Sequence, residues 1–318
     1  HIARVFGLQG EAWLDRLPGL VDHCVRHWSL LDLEPIDELS YSWVAKTESP
    51  HGPSMLKLTP PNPETLTEIG ALEHFRAGPV CALYAEDRSH YALLLERAIP
   101  GESLWAVNDL RTRMRVASGC FRSLHGYPDR REGADAFPRY ATLARRAFER
   151  ARNEPEPAGH GHGNRRRSEP SRASWRTTLL TAIARADQLR PKGERGTTPT
   201  LIHGDLHHGN MLSSGASWKI IDPKGIVAPV WLEPARFILN QYDDDALGDD
   251  ERASQFDLMV EAFAAALEVD PSLVARGALL DAAVTACWTL EERPTGKRMQ
   301  KASHRARTIA SFAEKWLE

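Results

Sequence analysis

The stretch LIHGDLHHGN, residues 201–210, places three histidines, one aspartate and one asparagine directly after the apolar pair Leu201 and Ile202. Three histidines near a carboxylate could bind a metal ion directly. Alternatively, Asp205 with Asn210, five residues further on, could form the catalytic loop of a phosphotransferase. The rest of the chain decides between these two chemistries.

A second short stretch, SWKIIDPKG at residues 217–225, favours the phosphotransferase. It predicts an apolar strand ending in Asp222, twelve residues after Asn210, with a proline and a glycine marking the turn that follows. Phosphoryl transfer needs a carboxylate to orient the acceptor, two oxygen ligands for Mg²⁺ and a cation on the nucleotide phosphates. Asp205, Asn210 with Asp222, and a lysine earlier in the chain can supply these groups.

The metal-hydrolase interpretation is the weaker one, because it needs further His or Asp ligands from other segments. Downstream of the motif the only other histidine is His304, which lies in a basic stretch. Two of the histidines upstream, at positions 160 and 162, lie within residues 153–171. That segment is rich in Pro, Gly and charge and nearly free of aliphatic residues, which predicts a mobile surface insertion in place of a metal site.

Composition narrows the class of protein. The 318 residues, 42% of them hydrophobic, are enough for one large domain or two moderate ones with a real core. The 40 basic and 43 acidic residues are spread along the chain, so no nucleic-acid partner is predicted. Four widely spaced cysteines predict neither a zinc knuckle nor a disulfide framework. Without a signal-peptide pattern or a run of 18 apolar residues, we expect a cytoplasmic protein with no membrane partner.

Residues 1–97 are predicted to form a small lobe that mixes helix and β-sheet. Helical spacing of apolar residues covers positions 10–30, and β-type runs at 40–48 and 54–60 flank the turn SPHGP. NPETLTEIGALEHFRAG, residues 62–78, has a helix-capping asparagine before proline. Two further strands are expected between Val80 and the break at Pro100–Gly101.

Residues 98–318 are predicted to form a larger, mainly helical lobe. Periodicity of 3.6 residues occurs in five segments, which are 114–127, 140–152, 174–190, 254–269 and 277–292. The fold class is therefore α+β, with a small mixed β-sheet lobe followed by a helical lobe.

The pair HGDLHHGN and IDPKG resembles the aminoglycoside phosphotransferase superfamily, in particular the branch of streptomycin 6-kinases and hydroxyurea kinases. AWLDRLP (12–18), LKL (56–58), TEIGALEHF (67–75) and LLLER (93–97) extend the resemblance over nearly the whole chain. It implies a two-lobed, protein-kinase-like fold with a nucleotide-binding lobe (1–97) and a catalytic and substrate lobe (98–318). It also implies that ATP and Mg²⁺ are used to phosphorylate a hydroxyl group of a small molecule.

The resemblance implies a role for each matching position. Asp205 is expected to orient the substrate hydroxyl as catalytic base, and Asn210 and Asp222 are expected to bind the magnesium ion. Lys57, flanked by apolar residues, would lie over the nucleotide phosphates and pair with Glu68, for which Glu64 is the rival.

The expected adenine contact requires little of the side chains. The backbone at Glu96 to Ala98 is expected to bind the adenine edge. The GxGxxG loop of protein kinases is absent; ELSYSW occupies its place, and related small-molecule kinases often lack that glycine string.

The residues that would contact the acceptor are less well defined. His203 is expected to bond to backbone in the loop, whereas His207 and His208 could face substrate or solvent. Lys224 could offset phosphate charge or lie on the surface. A cationic aminoglycoside needs carboxylate partners; the sequence offers Glu233, Glu291 near Trp288, and the acidic runs at 241–251 and 289–292. Such runs also occur as solvated faces at helix starts, and Glu233 could instead support neighbouring residues.

A streptomycin-type aminoglycoside is the leading acceptor. Hydroxyurea, or a sugar or cyclitol, is the alternative within the same fold. A catalytically silent nucleotide-binding module is the alternative of another class, and it is disfavoured because Asp205, Asn210 and Lys57 are all present.

Overall fold

The computed structural model of the chain describes residues 2–36, 41–126, 136–153, 198–242, 248–291 and 296–317. The insertion predicted at 153–171, apart from its first residue, and the helix predicted at 174–190 lie outside these ranges. The described chain forms two compact units. The first unit comprises residues 1–116, 123–132 and 208–225, and the second unit comprises residues 117–122, 133–207 and 226–318, as far as these are described.

Helices and strands alternate in the first half of the chain, and helices dominate the second. The described helices are α1 (Ile2–Trp28), α2 (Pro63–His74), α3 (Leu110–His125), α4 (Tyr140–Asn153), α5 (Ala235–Gln241), α6 (Asp249–Leu267), α7 (Pro271–Glu291) and α8 (Gly296–Leu317). The strands are β1 (Leu31–Pro35), β2 (Trp43–Ser49), β3 (Gly52–Leu58), β4 (Leu83–Asp87), β5 (Ala92–Glu96), β6 (Pro100–Ser103), β7 (Pro199–Ile202), β8 (Met211–Ser214), β9 (Ser217–Ile220) and β10 (Ile226–Pro229).

The first unit is organised around a five-stranded sheet with strand order β1-β2-β3-β5-β4. Every pair of named strands in it is antiparallel. Two of the pairs, β2–β3 and β4–β5, are hairpins joined by a short turn, and hairpin strands must run in opposite directions. The predicted hairpin at SPHGP is confirmed, with Ser49 paired to Gly52.

Helix α1 supplies much of the core of this unit. Trp13 and Cys24 are buried together with Leu56, Leu58 and Leu94 from the sheet. The helix begins eight residues earlier than predicted, because Ile2 also packs into this core, and Gly7 interrupts the helical backbone with φ 56°. The predicted amphipathic helix therefore covers the sheet with its apolar face.

Helix α2 starts where its capping residues predict. The side chain of Asn62 accepts a hydrogen bond from the backbone N–H of Glu64, and Pro63 occupies the first turn, where its missing N–H costs nothing. The helix buries Glu68, Ile69 and Leu72. The cap thus defines the residue at which α2 begins.

A second sheet in the first unit has the order β6-β8-β9. Its first strand begins at Pro100 and Gly101, which the sequence analysis treated as a break, and Ser103 pairs with Leu212. The register shifts between these ends, and Gly101 has φ 81°, so the two residues bend the chain without ending the pairing.

The second unit is helical, as predicted, with a two-stranded antiparallel ribbon of β7 and β10. Phe121, Phe237 and Phe263 form an edge-to-face cluster in its core, with ring centroids 5.0–6.4 Å apart. Helix α8 follows helices α6 and α7 and was not among the predicted helices. None of the described helices is long and apolar enough to cross a membrane.

All four cysteines lie in described residues and are buried. Burial raises the pKa of Cys24 to about 11, and the charge of Asp87 adds to the effect. Burial likewise raises the pKa of Cys81 and Cys120 to about 12.

Candidate active site

The hairpin of β8 and β9 brings the two predicted metal ligands to one end. Asn210 directly precedes β8 and Asp222 follows β9, and Met211 pairs with Ile220. The backbone N–H of Ile221 donates to the backbone oxygen of Asn210 at 3.1 Å. Antiparallel pairing therefore places Asn210 opposite Ile221 and brings Asp222, the next residue along the chain, to the same end of the hairpin.

Lys57 on β3 makes three short contacts with carboxylates. Its Nζ lies 2.7 and 2.8 Å from the two carboxylate oxygens of Glu68 on α2, and 3.1 Å from Oδ1 of Asp222. The side chains of Lys57 and Glu68 are only 11% and 9% exposed, whereas that of Asp222 is 48% exposed. The cluster thus has a buried ion pair behind an accessible carboxylate.

This cluster has a defined electrostatic state. Burial lowers the pKa of Lys57, but the charges of Asp222 and Glu68 outweigh burial and raise it above its ordinary value. Burial raises the pKa of Glu68, with the charge of Lys57 opposing it. Lys57 is therefore a permanent cation, held by Glu68 and not by the rival Glu64.

The backbone at Asp222 is in the left-handed region, with φ 57°. A non-glycine residue rarely adopts this conformation, but aspartate and asparagine tolerate it better than other side chains. Such local strain often occurs at functional sites. Gly225, three residues further on, also has a positive φ, 65°.

Asn210 and Asp222 offer the amide and carboxylate oxygens that hard cations prefer. Asp222 is also accessible, so the donor set fits a divalent ion.

Glu96 ends β5 and is tied to its neighbours. Its backbone N–H donates to the oxygen of Ala82 at 2.8 Å, and its carboxylate accepts from the N–H of Ala82 at 2.9 Å and from Lys219 at 2.8 Å. Ala98, two residues on, is buried. The segment is thus firmly held, and its contact with adenine stays a prediction.

The ring of His208 is fully buried and stacks on Trp105, with centroids 4.0 Å apart and an interplanar angle of 16°. Arg113 lies over the same indole, 5.0 Å from its centroid, and its guanidinium also bonds to the backbone of Trp105. The sequence analysis left open whether His208 faces substrate or solvent. Its burial shows that it does not face solvent. Trp105 was not predicted to be part of the site, because one tryptophan in the short run LWAV does not indicate a stacking partner far along the chain.

In the second unit, Glu233 holds the backbone of the HGD motif. Its two carboxylate oxygens accept hydrogen bonds from the N–H of His203 at 2.8 Å and of Gly204 at 3.1 Å, and the residue is 1% exposed. His203 in turn accepts a hydrogen bond from the N–H of Asp205 through Nδ1, at 3.2 Å. The expected bond of His203 to backbone is confirmed, and Glu233 is positioned to support the loop.

Asp205 is paired with an arginine that the sequence analysis did not single out. Nε of Arg236, on α5, lies 3.4 Å from Oδ1 of Asp205. The same guanidinium reaches Oδ1 of Asp281 at 3.3 Å and the hydroxyl of Thr285 at 3.2 Å, both on α7. The hydroxyl of Tyr140, on α4, donates to Asp281 at 2.9 Å. Three helices thus fix the guanidinium beside Asp205.

The charges of this network reinforce one another. Burial lowers the pKa of Arg236, but Asp281 and Asp205 outweigh it and raise the pKa above its usual value. Burial, together with the charge of Asp281, raises the pKa of Tyr140 well above its usual range. Tyr140 therefore stays a hydrogen-bond donor, Arg236 a cation, and Asp281 their shared acceptor.

Gly204 can be tested directly, because its backbone has φ 80° and a Cβ there would lie 2.7–3.1 Å from side-chain atoms of Ile226. Ile226 is a β-branched strand residue that cannot turn away easily. We expect Gly204→Ala to lower the free energy of unfolding by about 2–4 kcal/mol, from strain and overpacking together.

The matched control is Gly215→Ala, where φ is 56° and a Cβ would meet nothing within 4 Å. That variant carries the backbone strain alone and should lose about 1 kcal/mol. Urea denaturation of both proteins separates the two contributions. Equal losses would show that the contact with Ile226 is unimportant.

The remaining acceptor candidates are spread over the chain. Lys224 is half-buried in the first unit, and Trp288 is half-buried on α7. The side chain of Glu291 lies outside the described residues, as do residues 243–247 of one acidic run and Glu292 of the other. Their roles towards an acceptor stay predictions.

A lysine held by a helix glutamate on a small antiparallel sheet, together with a helical unit carrying the HGD loop, defines a kinase of the protein-kinase-like class. The family described as aminoglycoside/hydroxyurea antibiotic resistance kinase matches residues 27–293, and the chain belongs to this family. It is therefore a phosphotransferase that acts on an alcohol group.

The individual relatives share only a small part of their sequence with this chain. The streptomycin 6-kinase of Streptomyces griseus is 26% identical over 295 residues, covering 91% of this chain and 88% of the relative. A mutant aminoglycoside phosphotransferase, crystallised with AMP-PNP and hygromycin B, has a TM-score of 0.61 at 13% identity, covering 92% of this chain and 97% of its own. An amicoumacin kinase in complex with AMP-PNP, Ca²⁺ and Ami has a TM-score of 0.60 at 13% identity, covering 96% of this chain and 95% of its own. These two structures establish the fold.

Proposed function

We propose that this protein transfers the γ-phosphate of ATP to a hydroxyl group of a streptomycin-type aminoglycoside, as an antibiotic-resistance kinase. The observation that carries the phosphotransfer is the contact of one buried lysine with both Glu68 and Asp222, at 2.7–3.1 Å. This arrangement supplies a fixed cation and a metal-binding carboxylate together. The sequence relationship to a streptomycin 6-kinase supports the choice of acceptor.

In this proposal, residues 1–97 serve nucleotide binding and residues 98–318 serve catalysis and substrate binding. Lys57 lies over the nucleotide phosphates, and Glu68 keeps its ammonium group in place. Backbone groups from Glu96 to Ala98 bind the adenine edge. The relatives crystallised with AMP-PNP support the use of ATP by a protein of this fold.

Asn210 and Asp222 would hold Mg²⁺. When bound, the ion would neutralise negative charge on the phosphate oxygens. Lys57 adds positive charge from the protein side, and its contact with Asp222 orients that carboxylate.

Asp205 acts on the acceptor. Its carboxylate accepts the proton of the substrate hydroxyl, whose oxygen forms a bond to the γ-phosphorus while the bond to the bridging oxygen of ADP breaks. Because the transition state needs little early proton removal, the position of the carboxylate matters as much as its basicity. Arg236 fixes that position from one side, and the Glu233-anchored backbone of the loop fixes it from the other.

The acceptor is the least constrained part of the proposal. A polycationic ligand calls for carboxylates, and the candidates are the acidic runs at 241–251 and 289–292, the second of which contains Glu291. Trp288, directly before the second run, and Lys224 are the further candidates for contact with the acceptor. Hydroxyurea is the second candidate acceptor, because the description of the matched family names it. We place the enzyme in the cytoplasm, where ATP is available.

The experiment is mass spectrometry of a reaction with Mg·ATP and a mixed panel of streptomycin, other aminoglycosides, hydroxyurea and simple sugars. We expect phosphorylated streptomycin to be the main product. If only another member of the panel is phosphorylated, the proposed kinase activity stands and that compound replaces streptomycin as the acceptor. ATP binding without any product from the panel would contradict the proposed acceptor class and favour a silent module.

Arg236 gives a prediction of its own. Arg236→Lys keeps the positive charge but cannot reach Asp205, Asp281 and Thr285 at once, because lysine lacks the planar fork. We expect kcat to fall roughly 10- to 100-fold through misplacement of Asp205, with the KM for ATP nearly unchanged.

Thr285→Ala is the matched control, since it removes one of the three contacts without changing any charge. It should change kcat far less than Arg236→Lys. A folded Arg236→Lys enzyme with wild-type kcat would show that Asp205 does not depend on this arginine.

A further inference from the structure

We propose that His23, Asp87 and His90 form a binding site for a Zn²⁺ ion on the first unit, separate from the residues assigned to phosphotransfer. His23 lies in the last turns of α1, and Asp87 and His90 flank the turn between β4 and β5. Among the described residues, these three form the one group whose potential ligand atoms all lie within 4.8 Å of one another.

The ligand atoms converge on one point. Nε2 of His23 lies 3.2 Å from Oδ2 of Asp87, and Nδ1 of His90 lies 2.7 Å from the same oxygen. In a tetrahedral zinc site, ligands about 2.0–2.1 Å from the ion are separated by little more than 3 Å. Small side-chain movements would therefore be enough to admit the ion.

The carboxylate of Asp87 is already oriented for this role. Its other oxygen, Oδ1, accepts hydrogen bonds from the N–H and hydroxyl of Ser89 and from the N–H of His90. These bonds turn Oδ2 towards the two histidines. Hydrogen bonds that orient ligating groups are a regular feature of metal sites.

The imidazoles are also held in place. The ring of His23 stacks on that of His27, one helical turn further on, with centroids 5.6 Å apart and an interplanar angle of 12°. The rings of His23 and His90 have centroids 4.6 Å apart. Both histidines therefore approach the carboxylate from packed positions.

Exposure permits entry of the ion. The side chains of His23 and His90 are 41% and 38% exposed, and that of Asp87 is 17% exposed. A solvent molecule could complete the coordination, as is usual where a protein supplies three ligands.

Ligand chemistry selects the ion. Two imidazole nitrogens and one carboxylate suit Zn²⁺, whereas Mg²⁺ prefers oxygen ligands alone. The proposed zinc site and the proposed magnesium ligands Asn210 and Asp222 thus take different cations.

The consequence is a clamp between α1 and the β4–β5 hairpin. Helix α1 contributes Trp13 and Cys24 to the core over the sheet, so an ion that ties its last turns to the hairpin strengthens that packing. An ion that binds only the folded state stabilises it by mass action.

The test is a Zn²⁺ titration by calorimetry of the full chain, stripped with a chelator and kept in excess Mg²⁺. We expect the wild type to bind one zinc ion per protein chain at this site. His23→Gln and His90→Gln should each weaken it by at least roughly 10- to 100-fold. His27→Gln is the matched control, because His27 stacks on His23 but is not a ligand, and it should bind zinc nearly as the wild type does.

A triple variant, His23→Gln, Asp87→Asn and His90→Gln, separates this site from any other zinc-binding histidines. Asn at position 87 keeps an oxygen for the turn contacts of Oδ1, so the turn is preserved. Zinc should raise the melting temperature of the wild type and not that of this variant, and Co²⁺ should give visible absorption bands only with the wild type. Equal zinc binding by the wild type and the triple variant would overturn the proposal.

Discussion

Replacing Asp205 with asparagine is expected to lower kcat roughly 100- to 10,000-fold, the range that positioned acid–base groups contribute. Asparagine has nearly the same size, but it cannot accept the hydroxyl proton. The backbone bond from residue 205 to His203 does not involve this side chain, and Arg236 keeps Asp281 as its partner. The loop should therefore retain its structure while losing its base.

The affinity for Mg·ATP separates this effect from general damage. Because Asp205 serves the acceptor, the dissociation constant of the nucleotide should change little, which calorimetry can measure. Asp270→Asn is the matched control: Asp270 caps α7 through the N–H of Ser272, and asparagine caps helices equally well. Wild-type turnover in a folded Asp205→Asn protein would contradict the assignment of the base.

Asp222→Asn is expected to lower kcat on the order of 100- to 1,000-fold, as is found when one preorganised electrostatic group is removed. The amide is a weaker ligand for a divalent cation than the carboxylate. The substitution also removes one of the two negative charges that contact Lys57. The rate should therefore need a higher concentration of Mg²⁺ to reach half its maximum.

The backbone conformation does not complicate this test, because asparagine tolerates φ 57° as aspartate does. Asp32→Asn is the matched control: Asp32 also has a positive φ, 52°, and is exposed on β1, outside the proposed machinery. It should leave the Mg²⁺ dependence unchanged. An unchanged Mg²⁺ midpoint in Asp222→Asn would exclude Asp222 as a magnesium ligand.

Local signals explain what could be predicted from the sequence. Asn62 and Pro63 predict the start of α2, and the apolar neighbours of Lys57 predict a buried strand. In both cases the deciding information lies within a few residues, where helix caps and alternating patterns operate. The pairing of Lys57 with Glu68, which the structure has at 2.7 Å, was instead implied by the family resemblance of the sequence around Glu68.

The network behind Asp205 could not be predicted in the same way. Arg236, Asp281 and Tyr140 come from three helices separated by tens of residues, and a buried arginine looks like a surface arginine in the sequence. The stacking of Trp105 on His208 is equally distant along the chain. Such contacts depend on how helices pack, which apolar periodicity indicates only in outline.

The most direct measurement is mass spectrometry of streptomycin after incubation with Mg·ATP and either the wild type or Asp205→Asn. We predict that the wild type adds one phosphate to streptomycin and that the variant, at equal concentration and with ATP bound, adds almost none. Phosphorylation at the same rate by both proteins would contradict the central claim that Asp205 directs phosphate to the acceptor hydroxyl.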